Sequence, residues 1–230
     1  MKTFIFIPSF NDQFHVNRLI NGLLELDNSW VIFLVDDGSD PPICIDSEKA
    51  FLFRIPFNTG LGVVTNIALH VAKLNDFDFF VRIDADGQHP IQNVKKIIAK
   101  LTTEKCDVCI GERTNHESYT NLQLCIASLA KRHLTFISNW ISKMKIQDWN
   151  TGFFGLNRFA IEKLAQKNYA RYPEIDLYLH ASYLKLAIST LKIEQQNRSD
   201  GKSTLTTIHS IRLMLRIYLI LINHILRTIF

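Results

Sequence analysis

Phe77-Asp78-Phe79-Phe80-Val81-Arg82-Ile83-Asp84-Ala85-Asp86-Gly87-Gln88 is the stretch that decides the fold. Its aromatic and β-branched half reads as a buried strand, and its character changes abruptly at Asp84. Two carboxylates, Asp84 and Asp86, and the amide of Gln88 then alternate along the chain. Oxygen donors in that spacing suit one hard divalent cation, Mg2+ or Mn2+, of the kind shared with the phosphates of a bound nucleotide. The competing reading is an acidic turn that merely closes a strand, because a short acidic motif recurs often by chance.

Working outward, apolar runs and helix-like segments alternate. Lys2–Ile7 and Trp30–Val35 read as strands, Val16–Leu26 as a helix, and Phe51–Ile55 as a further short strand. Leu61–Leu74 and Ile91–Leu101 carry apolar residues at helical spacing on either side of the Phe77–Ile83 run, and Cys106–Ile110 reads as another strand. Such alternation predicts an α/β fold, a largely parallel sheet wrapped by helices. No internal repeat or low-complexity linker interrupts it.

Composition narrows the class. At 230 residues and 47% hydrophobic, the chain can fill a substantial core. The formal charge of +4, from 26 basic and 22 acidic residues, is too mild to imply nucleic acid. Pro8 interrupts the short apolar run after Met1-Lys2, so no signal-peptide core is read there, and a reducing, cytoplasmic setting is expected for the four cysteines. Cys106 and Cys109 form C-x-x-C without a second pair and lie within a strand-like run, which predicts core thiols rather than a zinc or redox site. The eight histidines show no H-x-x-x-H spacing. Of these, His89 adjoins the acidic loop and is expected to pack or bond locally.

Open α/β sheets bind ligands beyond the carboxyl ends of their strands. The polar clusters fall there: Pro8-Ser9-Phe10-Asn11-Asp12, Asp36-Asp37-Gly38-Ser39-Asp40, and Asp84 to Gln88. Each alone is explained by a turn or helix cap. Together on one rim they predict a single site.

Seven segments in order carry a resemblance to a known family. They are Ile7-Pro8-Ser9-Phe10-Asn11, Val35-Asp36-Asp37-Gly38-Ser39, Asn58-Thr59-Gly60-Leu61-Gly62, Asp84 to Pro90, Gly111-Glu112-Arg113, Asp148-Trp149-Asn150-Thr151-Gly152-Phe153-Phe154, and Arg198-Ser199-Asp200-Gly201-Lys202-Ser203. The chain resembles family 2 glycosyltransferases of the GT-A fold, in the group of dolichol-phosphate mannose synthase and bacterial polyprenyl-phosphate glycosyltransferases. The likeness spans roughly residues 3 to 205.

The resemblance implies a Rossmann-like GT-A domain over residues 1–205 that takes a nucleotide diphosphate sugar. It makes Asp86 the principal metal carboxylate, with Asp84 and Gln88 completing the set. Pro8, Asn11, Asp36, Asp37, Gly60, Asp84 and Ala85 are expected on the donor nucleotide, with one of Asp36 and Asp37 bracing its loop. Asn58 to Gly62 fails as a dinucleotide fingerprint, since the third glycine is missing, and a plain helix start is the competing reading. Arg113, Arg198 and Lys202 are expected on the donor diphosphate, where Arg offers a fixed fork and Lys a point charge. Asp148 is the candidate general base if the acceptor is a hydroxyl, and an orienting group if it is a lipid phosphate. Phe154 stands where many relatives carry a basic residue, which weakens any acceptor-phosphate role there. The acidic residues of Tyr172-Pro173-Glu174-Ile175-Asp176 fit either a helix N-terminus or an acceptor-side role.

Residues 206–230 change character again. Arg212, Arg216, His224 and Arg227 punctuate an apolar run too short to span a bilayer. A basic amphipathic helix is expected, lying on an anionic membrane surface or packing on the domain or on a second subunit. With it goes a peripheral location at the inner face of the cell membrane, through the tail or a membrane partner protein. The function expected is a metal-dependent, inverting transfer of one sugar to a polyprenyl phosphate or lipid-linked glycan. The rival readings are a sugar-phosphate nucleotidyltransferase, whose Gly-rich basic loop Pro8 to Asn11 does not match, and a nucleotide-sugar-binding protein without turnover.

Overall fold

A computed structural model describes residues 1–114, 122–169, 173–194, 218, 219 and 222. Seven strands form one sheet: β1 (Thr3–Ser9), β2 (Val31–Asp37), β3 (Ala50–Ile55), β4 (Phe79–Arg82), β5 (Val108–Arg113), β6 (Phe154–Asn157) and β7 (Ile188–Ile193). The helices are α1 (Gln13–Leu26), α2 (Leu61–Leu74), α3 (Gln92–Thr103), α4 (Leu122–Ser142), α5 (Arg158–Leu164) and α6 (Pro173–Tyr183).

The inner strands are buried along nearly their whole length and mostly apolar, because both faces are covered, with the polar residues Ser9, Asp36, Asp37 and Arg82 gathered at their carboxyl ends. Phe4 and Phe6 of β1 join the core beneath α2, α5 and α6. Ile5 and Ile7 point to the opposite face, where α1 places Val16, Leu19, Ile20 and Leu23 at helical spacing beside Val94, Ile97 and Leu101 of α3. Cys106 and Cys109 are buried, and burial pushes the Cys109 thiol up to about 12. They are core thiols.

Strand order is β3-β2-β1-β4-β6-β5-β7, with β6 antiparallel to both neighbours and every other pairing parallel. The largely parallel sheet expected from the sequence is therefore present, with one reversed strand in it. Pairing also runs further than the apolar runs suggest. Pro8 pairs with Val35 and Ser9 with Asp36, so both residues belong to β1 and Asp36 and Asp37 to β2. Conversely, Phe77 and Asp78 precede β4.

The reversed strand matters for position. Because β6 runs against its neighbours, its start lies on the same rim as the carboxyl ends of β1, β2, β4, β5 and β7. The loop entering β6 carries Asp148 to Phe153, so it meets the Asp84 loop edge to edge. The Arg198 and Lys202 segment, residues 206–217 and the tail cations Arg212, Arg216, His224 and Arg227 lie outside the described residues.

Candidate active site

At the end of β2 both carboxylates are engaged by their own chain. Asp36 is fully buried, accepts from the Ser39 amide at 2.9 Å and the Ile43 amide at 3.3 Å, and has Arg54 Nε at 3.8 Å. Asp37 accepts from the Thr59 amide and hydroxyl at 2.8 and 2.6 Å and from the Gly60 amide at 2.7 Å. Gly60 sits at φ 93°, a conformation that favours glycine, immediately before α2. Asp37 thus clamps the Asn58 to Gly62 loop to the end of β2. Asn11 joins the same rim: its amide donates to Ser39 Oγ at 2.9 Å and its side chain accepts from the Asp40 amide at 3.0 Å. The three loops form one hydrogen-bonded ledge.

Beyond β4 lies the charged centre. Arg82 is 1% exposed within an apolar strand, and its guanidinium reaches Asp84 Oδ1 at 3.0 Å on one side and Glu174 Oε1 of α6 at 2.8 Å on the other. Burial works against charge on Asp84, yet Arg82 outweighs it and holds the carboxyl below the ordinary range. For Glu174 burial wins, and its carboxyl is raised despite the same partner. Asp86 Oδ1 accepts from the Gln88 amide at 3.1 Å and so shapes the turn at Gly87, where φ is 69°. Ala85 is buried beneath it. His89 is also buried and stacks on Phe153 with ring centroids 5.0 Å apart; burial lowers its pKa, against Asp84 and Asp86. His89 therefore ties the acidic loop to the β6 entry loop.

On the far side, Arg113 ends β5 and grips Asp148 with two nitrogens, Nη2 at 3.0 Å from Oδ1 and Nε against Oδ2. Asp148 is 2% exposed. The neighbouring Glu112 accepts from the Gln147 amide at 2.6 Å, so two successive residues of β5 hold this loop. Asn139 of α4 holds it from the other side, bonding Trp149 Nε1 at 3.0 Å and both backbone groups of Ile146. Gly152 then passes so close to the centre that an added Cβ would lie 2.8 Å from Arg82 Nη2 and inside contact distance of the Asp84 carboxylate.

The rim thus brings together Pro8, Asn11, Asp36, Asp37, Gly60, Asp84, Ala85, Asp86, Gln88, Arg113 and Asp148. Two contributors escaped the sequence reading in their actual roles. Arg82 was visible only as a cation inside an apolar strand, and Glu174 pairs with it instead of serving solely as a helix-start acid. Among the described residues no three His, Cys, Asp or Glu side chains stand ready as a metal cluster. The donors present are two carboxylates and an amide, a set that fits a hard cation completed by phosphate and water oxygens.

The family model for Glycosyl transferase family 2 matches residues 4–219. The chain belongs to this family. It is accordingly a glycosyltransferase. Among curated relatives, a UDP-N-acetylglucosamine--dolichyl-phosphate N-acetylglucosaminyltransferase of Methanococcus voltae is 24% identical over 71% of this chain and 72% of that protein. An undecaprenyl-phosphate 4-deoxy-4-formamido-L-arabinose transferase of Salmonella choleraesuis is 26% identical over 50% of this chain, which spans 38% of that enzyme. The fold is shared with glucosyl-3-phosphoglycerate synthase of Mycobacterium tuberculosis, crystallised with Mn2+, UDP and glucosyl-3-phosphoglycerate, at a TM-score of 0.69, 14% identity and coverage of 97% of this chain and 79% of that one. Among the described residues no helix is long and apolar enough to cross a membrane.

Proposed function

We propose that this glycosyltransferase moves one sugar, with inversion, from a nucleotide diphosphate sugar to a polyprenyl phosphate or lipid-linked glycan at the inner face of the cell membrane. The observation that carries the reading is the rim itself. It sets the Asp37-clamped ledge, the Asp84 to Gln88 loop and the Arg113–Asp148 pair side by side. The polyprenyl-phosphate chemistry named for the Methanococcus and Salmonella relatives supports the acceptor, and the Mn2+ and UDP of the structural neighbour support the donor.

In this reading Pro8, Asn11, Asp36, Asp37 and Gly60 line the nucleoside side, with Asp36 bracing its loop. Asp84, Asp86 and Gln88 hold Mg2+ or Mn2+, which supplies neutralisation of the charge developing on the leaving diphosphate. Arg198 and Lys202 follow β7, whose carboxyl end reaches the same rim, and they add cations to the diphosphate. The bond from the anomeric carbon to the diphosphate oxygen breaks with its electron pair leaving on the nucleotide, and an acceptor oxygen forms the new bond. A phosphate oxygen is already anionic and needs no base. Asp148, with both oxygens engaged by Arg113, suits positioning of that cation better than proton removal.

A thermal-shift screen of nucleoside diphosphates with Mn2+ tests the donor half, since a ligand of the folded state at 100 times its Kd adds about 2.7 kcal/mol. One nucleotide with Mn2+ should raise the Tm, Mn2+ alone should not, and Asp86→Ala should abolish the shift and the transfer. Tight donor binding without turnover on any acceptor would reduce the protein to a binder. Asp148→Asn should keep much of its activity on a polyprenyl phosphate, whereas near-complete loss would assign a hydroxyl acceptor.

A further inference from the structure

The entry loop of β6 leads back to α4, whose outer face has no role in the site. Along the part of α4 whose side chains are described, Arg132, Phe136 and Trp140 are exposed at helical spacing, with His133 beside them and Lys143 just past the helix end. Phe136 is 70% and Trp140 74% exposed. Two large aromatic side chains in water one turn apart are unusual for a helix that packs Leu134 into the core. Charge is equally one-sided. From Leu122 to Gln147 the sequence contains no Asp or Glu, and its four cations are Lys131, Arg132, Lys143 and Lys145.

We propose that this face of α4 is a docking surface for an anionic lipid bilayer. Aromatic rings favour the headgroup boundary, where an apolar body meets a polar environment, and flanking Lys and Arg side chains reach lipid phosphates while their stems stay against the hydrocarbon. The order cation, Phe, Trp, cation along the stripe has that layout. Near α4, Tyr218 bonds His133 Nδ1 through its hydroxyl at 2.7 Å, and the adjacent Leu219 and Ile222 are 65% and 52% exposed. The charge along residues 122–147 is of one sign, complementary to an anionic bilayer.

The consequence for the site, which rests on the proposed lipid acceptor, is positional. Asn139 on this helix fixes Ile146 and Trp149 beside Asp148, so a bilayer held against α4 presents lipid phosphates to the Arg113–Asp148 side of the rim. Donor loops remain on the other side. The docking itself does not depend on the reaction.

Trp140 makes the test direct, because Trp30 and Trp149 are 6% and 1% exposed. The full chain is mixed with vesicles of phosphatidylcholine alone or with phosphatidylglycerol, some carrying brominated acyl chains. Tryptophan emission should shift to the blue and be quenched only where phosphatidylglycerol is present, weakening at high salt. Phe136→Ser and Lys143→Glu should each lower co-sedimentation with these vesicles at least tenfold while the circular dichroism spectrum is kept. Unquenched Trp140 at saturating vesicle overturns the proposal, as does wild-type co-sedimentation by both variants. So does protection of Trp140 by self-association in the absence of lipid. Vesicle docking with no nucleotide-dependent thermal shift would retain this surface and sink the donor reading; the reverse result would do the opposite.

Discussion

Arg82 is the residue on which the site's electrostatics turn. One buried guanidinium faces two carboxylates, and removing it leaves Glu174 buried without its cation. Arg82→Met should therefore destabilise the protein by about 3–5 kcal/mol in urea unfolding, the cost typical of stranding one half of a buried pair. Glu174 gives the complementary result. Its folded carboxyl is raised, so its contribution to stability is fully present below the unfolded value of about 4.3 and is lost as pH rises through the folded one. Asp84, held low, has the opposite sign: its contribution is present above about 3.9 and lost as pH falls through the lowered value. The stability of Glu174→Gln relative to the wild type should accordingly rise between pH 4 and 7, measured as the difference in urea midpoints. An unchanged difference would show that the Glu174 carboxyl is not raised by folding. At this scale the sequence revealed which carboxylates stand on the rim, because polar clusters after apolar runs are visible in one dimension. One of Asp36 and Asp37 was expected to brace its loop; that both do was not legible, since Ile43, Thr59 and Gly60 are partners only once the chain has folded back.

At the scale of elements, the β6 entry loop is pressed against the acidic loop with no room for a side chain at Gly152. Gly152→Ala should cost about 1–3 kcal/mol by overpacking and should depress kcat more than it weakens nucleotide binding measured without Mn2+, because what moves is Asp84 and Arg82 and not the Asp37 ledge. Equal loss of both would mean that the two loops act as one body. The first half of the molecule was legible element by element: Trp30–Val35 and Leu61–Leu74 carry long, uniform patterns whose period decides their type. The second half was not. β6 is four residues, Phe154–Asn157, too short for a period, and α4 has no acidic face to set off its apolar one. That β6 runs antiparallel is a property of its neighbours, and no local pattern records it.

For the whole molecule, that short strand has a consequence in time. The order β4-β6-β5 means that, among the described residues, no sheet hydrogen bonds join β3, β2, β1 and β4 to β5 and β7 except through β6. Residues 3–82 can pair among themselves as soon as they are available, whereas the sheet becomes continuous only when Phe154–Asn157 slides between two strands already distant in sequence. Long-range insertions of this kind form slowly. Pulse-labelled hydrogen exchange during refolding should find the amides of β1 and β2 protected before those of β6, and simultaneous protection would refute the sequence of events. The strand that carries the Asp148 loop to the rim is then also the keystone, and the rim is complete only once β6 has closed the sheet.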